Sequence, residues 1–163
     1  MARFLLTSTW QVPTTAEDLW PVLWDVESWP AWWPYVASSR VVADGDRLGH
    51  GRRTHLVFRT PLGYRLSFGV EVVTIRPPFL VEARVAGQLT GRGLWELRAT
   101  AGGVATDITW DVETRRPWMR TMSPVAAPVF RAAHGHVMAA GERGLVRVMD
   151  RPGPVGRPVA PDR

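Results

Sequence analysis

Between residues 36 and 115, turn signals cut the chain into short runs of β-forming residues, and this constrains the fold more than any other feature. The breaks are Asp44-Gly45-Asp46, Pro61-Leu62-Gly63, Arg76-Pro77-Pro78, Ala86-Gly87 and Gly102-Gly103. They leave runs at about 36–43, 52–60, 64–76, 79–86, 88–100 and 103–115. Connections this short favour hairpins, hence an antiparallel sheet. Alternation then assigns the faces. Leu66, Phe68, Val70 and Val72 oppose Arg65, Ser67 and Glu71; Phe79, Val81, Ala83 and Val85 oppose Glu82 and Arg84. Leu89, Gly91, Gly93, Trp95 and Leu97 oppose Arg92, Glu96 and Arg98, and Ile108, Trp110 and Val112 oppose Asp107, Asp111, Glu113 and Arg115. One face is wet and the other apolar, and the apolar face requires a second layer.

That layer is supplied by the stretch from Trp118 to Asp150, the longest segment that reads as one helix. Ser123 before Pro124 is a start signal, because the hydroxyl caps free amides and proline at the first helical position loses no bond. At 100° per residue, Ala127, Phe130, Val137, Met138, Gly141, Leu145 and Val148 form one stripe, with His134 in its middle. His136, Arg143, Arg147 and Asp150 fall on the other side. Pro128 predicts a bend near the first turn. At the other end of the chain, residues 3–11 read as a first strand closed by Pro13. Thr14, with Glu17 three residues on, is placed to open a short helix whose apolar face is Leu19, Trp20, Leu23 and Trp24, kinked at Pro21. Pro30 and Pro34 allow only a second short helix or turn through Trp29, Trp32 and Trp33. The expected organisation is one domain over residues 1–150 and a disordered tail over 151–163, rich in proline, glycine and arginine.

Composition excludes several classes. The chain has no cysteine, which removes disulfides, thiolate metal sites and cysteine nucleophiles. Its net charge of +5 is carried by arginines scattered from Arg3 to Arg163, with no lysine. Scattered arginines read as a solvated face and not as a basic stripe for nucleic acid. The absence of lysine and asparagine fits a GC-rich bacterial genome. No segment approaches the roughly 20 apolar residues that span a bilayer, and residues 1–10 lack the features of a signal peptide. A cytoplasmic protein without stable membrane insertion is therefore expected; nothing in the sequence specifies an oligomeric state.

The order of elements, strand, two short helices, six strands and a long helix, describes an α+β wrap. With Asp25-Val26-Glu27-Ser28-Trp29-Pro30-Ala31-Trp32-Trp33-Pro34, Gly91-Arg92-Gly93-Leu94-Trp95, His134-Gly135-His136-Val137-Met138 and Gly141-Glu142-Arg143-Gly144-Leu145, it resembles the bacterial polyketide cyclase/dehydrase and lipid-transport family of the START-like, or helix-grip, superfamily. The resemblance covers about residues 3–149. It implies a strongly curved seven-stranded antiparallel sheet gripping the C-terminal helix, with an apolar cavity between them. It implies no single activity, since the superfamily includes carriers and cyclases.

Candidate site residues follow from the inward faces. Nine tryptophans are far more than expected. Trp20, Trp24, Trp29, Trp32 and Trp33 fall where the resemblance places a cavity mouth, and most of them are expected to pack the short helices onto the sheet. Trp10, Trp95 and Trp110, on strands, are the better wall candidates. The ligand-binding set is Trp10, Trp32, Trp33, Phe58, Phe68, Trp95, Trp110, Met122, Phe130, His134 and Met138. His134, central to an apolar stripe, can hold a ligand oxygen or move a proton near neutral pH, although a buried histidine with a structural hydrogen bond is commoner. Tyr35 and Tyr64 are the other proton-transfer candidates, and Thr54, Thr74, Thr106 and Thr114 complete the inward polar inventory. Aromatase/cyclase relatives usually carry a cavity arginine; Arg65 has the wrong parity for that role. His134 and His136 diverge on the helix and no carboxylate cluster joins His50 and His55, so no metal is expected. Gly87-Gln88-Leu89-Thr90-Gly91-Arg92-Gly93 marks a sheet bend and not a phosphate loop, so no cofactor is expected either. The expected role is burial of a small hydrophobic molecule, lipid-like or aromatic. The alternatives are a polyketide cyclase, aromatase or dehydratase, and a protein-interaction module with a filled cavity.

Overall fold

The computed structural model describes residues 2–114 and 123–151. The chain forms β1 (Ala2–Val12), α1 (Ala16–Trp24), a 3₁₀ turn (Val26–Ser28), α2 (Trp29–Trp32), β2 (Val36–Ala43), β3 (Arg53–Arg59), β4 (Arg65–Arg76), β5 (Leu80–Gly87), β6 (Leu89–Thr100), β7 (Gly103–Thr114) and α3 (Ser123–Met149). All seven strands join one antiparallel sheet in the order β1-β7-β6-β5-β4-β3-β2. The first and last strands therefore pair, and the two short helices carry the chain from one sheet edge to the other. The curved sheet holds α3 on its apolar face, as in a helix-grip fold. Met122 and the tail beyond Arg151 lie outside the described residues. No described helix is long and apolar enough to cross a membrane.

Three local expectations are corrected. The cap of α1 is Thr15, whose Oγ1 accepts from the Asp18 amide at 3.2 Å, and not Thr14 with Glu17. Two adjacent threonines each have an acid three residues on, and the end of β1 at Val12 selects the second. On β4 a bulge between Val72 and Thr74 reverses the alternation, so Ile75 is buried while Thr74 turns outward to donate to Glu82 at 3.2 Å. Thr74 thus leaves the inward inventory. Phe79 sits in the turn before β5 and is 52% exposed, so it does not share the inner face of Val81, Ala83 and Val85.

The outer face is wet, as alternation requires. Arg98 Nε donates to Asp107 at 2.6 Å and Arg3 Nε to Asp111 at 2.7 Å, and these arginines hold both carboxyls below the usual range. The core is concentrated where α1, α2 and the C-terminal half of α3 meet β1, β6 and β7: Trp10, Leu19, Trp33, Ile108 and Leu145 are fully buried. Two glycines let α3 come close there. A Cβ at Gly141 would lie 2.6 Å from the Trp33 ring, and one at Gly144 would collide with the Trp32 carbonyl oxygen. Among the described residues, the N-terminal half of the helix has no such seat. Pro128, Val129, Arg131, Ala132, Gly135 and His136 are exposed. Held close by these glycines towards its C-terminus, α3 leaves space between residues 130–138 and the sheet.

Candidate functional site

That space is a chamber of about 150 Å³. Its roof is Phe130, Ala133, His134, Val137 and Met138 of α3; its floor includes Phe4 and Leu6 of β1, Phe58 of β3, Leu66 and Phe68 of β4, and Trp110 and Val112 of β7. Aromatic contacts fix the walls. Phe4 meets Phe130 edge-on at 5.7 Å, Phe58 stacks on Phe68 at 6.0 Å, and Trp33 closes one end against Phe58 at 5.3 Å. Trp33 is itself held by its indole N–H, which donates to the Val137 carbonyl at 2.9 Å. The β3–β4 hairpin adds Arg59, Thr60, Pro61 and Tyr64 to the lining. The chamber is apolar with a few polar groups, the usual character of a site for a small apolar ligand.

His134 is the polar group of the roof. Its Nε2 lies 3.3 Å from Ser8 Oγ on β1. Burial pushes the imidazole down to about 4, so it is neutral near pH 7. A neutral imidazole has one donor and one acceptor nitrogen, and the Ser8 hydroxyl suits either tautomer. Ser8 was not among the predicted site residues, although its place two residues from Leu6 and Trp10 puts it on the inner face of β1. Tyr64 lines the same chamber. Tyr35 does not: its ring meets the exposed His136 edge-on at 5.5 Å.

A second chamber, of about 90 Å³, lies under α1 and the 3₁₀ turn. It is lined by Trp20, Trp24, Trp29, Trp95 and Trp110, with Thr54, Leu56, Val70 and Val72 below. Trp20 and Trp24 stack at 5.9 Å, and the Arg52 guanidinium lies 4.3 Å from the Trp24 ring while Nη1 donates to the Trp24 carbonyl at 2.9 Å. Burial lowers the pKa of this arginine.

Of the predicted binding set, Trp33, Phe58, Phe68, Trp110, Phe130, His134 and Met138 thus line the first chamber, and Trp95 and Trp110 the second. Trp10 and Trp32 line neither. Trp10, expected on a cavity wall, is 1% exposed and packed edge-on against Trp33 and Trp95; Trp32 stacks on Trp33 at 5.8 Å. Of the tryptophans of the short helices, Trp32 is buried away from both chambers, Trp33 is buried against the first, and Trp29, Trp20 and Trp24 border the second. Phe4, Leu6, Leu66 and Leu89, absent from the predicted set, also line the first chamber and are readable by strand parity.

The same fold recurs among solved structures. The Zhui aromatase/cyclase from a Streptomyces species superposes with a TM-score of 0.73 at 15% identity, covering 91% of this chain and 94% of that one. A START superfamily protein from Mycobacterium smegmatis gives 0.68 at 15% identity, covering 91% and 97%. The di-domain aromatase/cyclase StfQ of the steffimycin biosynthetic pathway gives 0.60 at 19% identity, covering 90% of this chain, which spans about half of StfQ at 49%. No curated protein sequence matches the chain. Residues 3–150 match the family described as polyketide cyclase / dehydrase and lipid transport. That match runs from the second residue of β1 through β7 to the end of α3, and the chain belongs to this family.

Proposed function

We propose that the chain binds a small hydrophobic molecule, a single ring or a short acyl chain, in the chamber beneath α3. The observation that carries this reading is the chamber itself: about 150 Å³, walled by phenylalanine, tryptophan and aliphatic side chains. Apolar cavities of about this volume stay dry and accept benzene-sized molecules. A ligand burying roughly 200 Å² of apolar surface gains about 5 kcal/mol, enough for sub-millimolar binding before ordering costs. His134, neutral and backed by Ser8, offers one hydrogen bond to a ligand oxygen. An open chamber counts against an interaction module with a filled interior. Pairing of Arg3 and Arg98 with carboxylates on the outer face counts against nucleic acid as a partner. Isothermal titration with 4-ethylphenol and with ethylbenzene tests the reading: both should bind, the phenol more tightly, and absence of heat from either at millimolar concentration would sink it.

Cyclisation or dehydration of a polyketide-like substrate is the second reading, favoured by one observation: His134 and Tyr64 line the same chamber. A neutral imidazole can accept a proton α to a carbonyl, and a phenol can donate to the oxygen as charge develops there. His134→Gln should then abolish turnover of a short β-polyketone while leaving binding measurable. Equal turnover by the two proteins rules out this role.

A further inference from the structure

The two chambers follow one another along the same inward faces. On β3 the first chamber uses Phe58 and the second uses Leu56 and Thr54; on β4 the first uses Leu66 and Phe68 and the second uses Val70 and Val72. On both strands the change comes within a single inward step of two residues, roughly 7 Å. The two spaces therefore lie end to end along one trough of the sheet's inner face.

Among the described residues, Trp110 alone lines both halves. It pairs in register with Gly93 on the neighbouring strand, and a Cβ at position 93 would lie 2.9 Å from its ring. The indole thus lies across β6 where the glycine leaves room, and it continues to β4, where Phe68 meets it edge-on at 6.0 Å.

We infer that Trp110 is the specificity-determining residue of the interior: it walls the trough between the chambers and excludes hydrophobic ligands longer than one ring or a short acyl chain. The inference rests on the proposed binding of a hydrophobic molecule beneath α3 and adds the residue that sets its upper size. Elongated uncharged hydrophobes, such as three fused rings lying along the strands, need both halves and are kept out by the indole. Gly93 has a matching part, since any side chain there would push the wall out of its place.

The test compares 4-ethylphenol with 1-aminoanthracene, a three-ring probe, on the wild type and on Trp110→Ala. The wild type should bind 4-ethylphenol and bind 1-aminoanthracene at least tenfold more weakly. Trp110→Ala should shift that ratio by tenfold or more towards 1-aminoanthracene. Should the variant fail to fold, xenon-pressurised crystals of the wild type remain decisive, with one xenon peak expected on each side of the indole. Density continuous through position 110, wild-type binding of both probes with equal affinity, or an unchanged ratio in a folded variant overturns the inference. Failure of the wild type to bind either organic probe strikes the proposed function instead, because the xenon peaks still report the wall.

Discussion

At residue scale, His134 and the glycines of α3 make the sharpest claims. The imidazole, held at about 4 against an ordinary 6.5, binds its proton less readily in the folded chain than in the unfolded one. The stability this contributes is fully present above pH 6.5 and is lost as pH falls towards 4, with a slope of at most about 1.4 kcal/mol per pH unit for one proton. Denaturant unfolding of wild type and His134→Gln between pH 7 and pH 4 should show a shallower fall in the variant; parallel curves would mean that the buried imidazole is not the cause. The glycines offer a contrast on one helix. Gly144→Ala drives a methyl into the Trp32 carbonyl oxygen, a backbone atom that cannot step aside, and should cost about 3 kcal/mol or more. Gly135→Ala meets nothing within 4 Å and should gain about 0.5–1 kcal/mol, because alanine loses less backbone freedom on folding. Thermal melts of both variants check the opposite signs. Ser8 was legible in principle, since parity puts it inside; its partner was not, because residues 8 and 134 meet only once the sheet has closed.

At the scale of elements, α3 is read well from sequence in extent and poorly in attitude. Its 3.6-residue period identifies the apolar stripe that contains Met138, Gly141 and Leu145, all buried. Nothing in that period says that only the C-terminal half is seated. That depends on Gly141 and Gly144 meeting Trp33 and Trp32, a contact between segments some 110 residues apart in the chain. The consequence is uneven protection: amide exchange should be slower over residues 138–149 than over 129–137 when followed by mass spectrometry, and uniform protection would contradict the half-seated helix. Strand faces were legible wherever alternation is unbroken. They failed at Thr74, where a bulge adds a residue that no local pattern announces, and at Phe79, where the turn runs one residue longer than its prolines suggest.

For the whole molecule, the α+β wrap was legible because six alternating runs and one amphipathic helix leave few other ways to cover an apolar face. The division of the interior into two chambers was not, because it depends on which residue stands opposite Trp110 across the ladder, and Gly93 is identified only by register. The domain boundary expected at residue 150 yields a separate prediction: ending the chain at Arg151 should leave the melting temperature within a few degrees, because the removed sequence has no apolar periodicity. The pairing of β1 with β7 has a further consequence, in time and not in space. Ala2 is opposite Thr114, so during synthesis the first strand of this sheet waits for the last before it finds its neighbour. Until then its inward row, Phe4, Leu6 and Trp10, has no sheet to join, and the loop to be closed is nearly the length of the domain. Folding by so distant a pairing is slow and exposes aggregation-prone surface on the way. A nascent chain stopped before β7 should therefore be a strong client of chaperones, and one released after it should not.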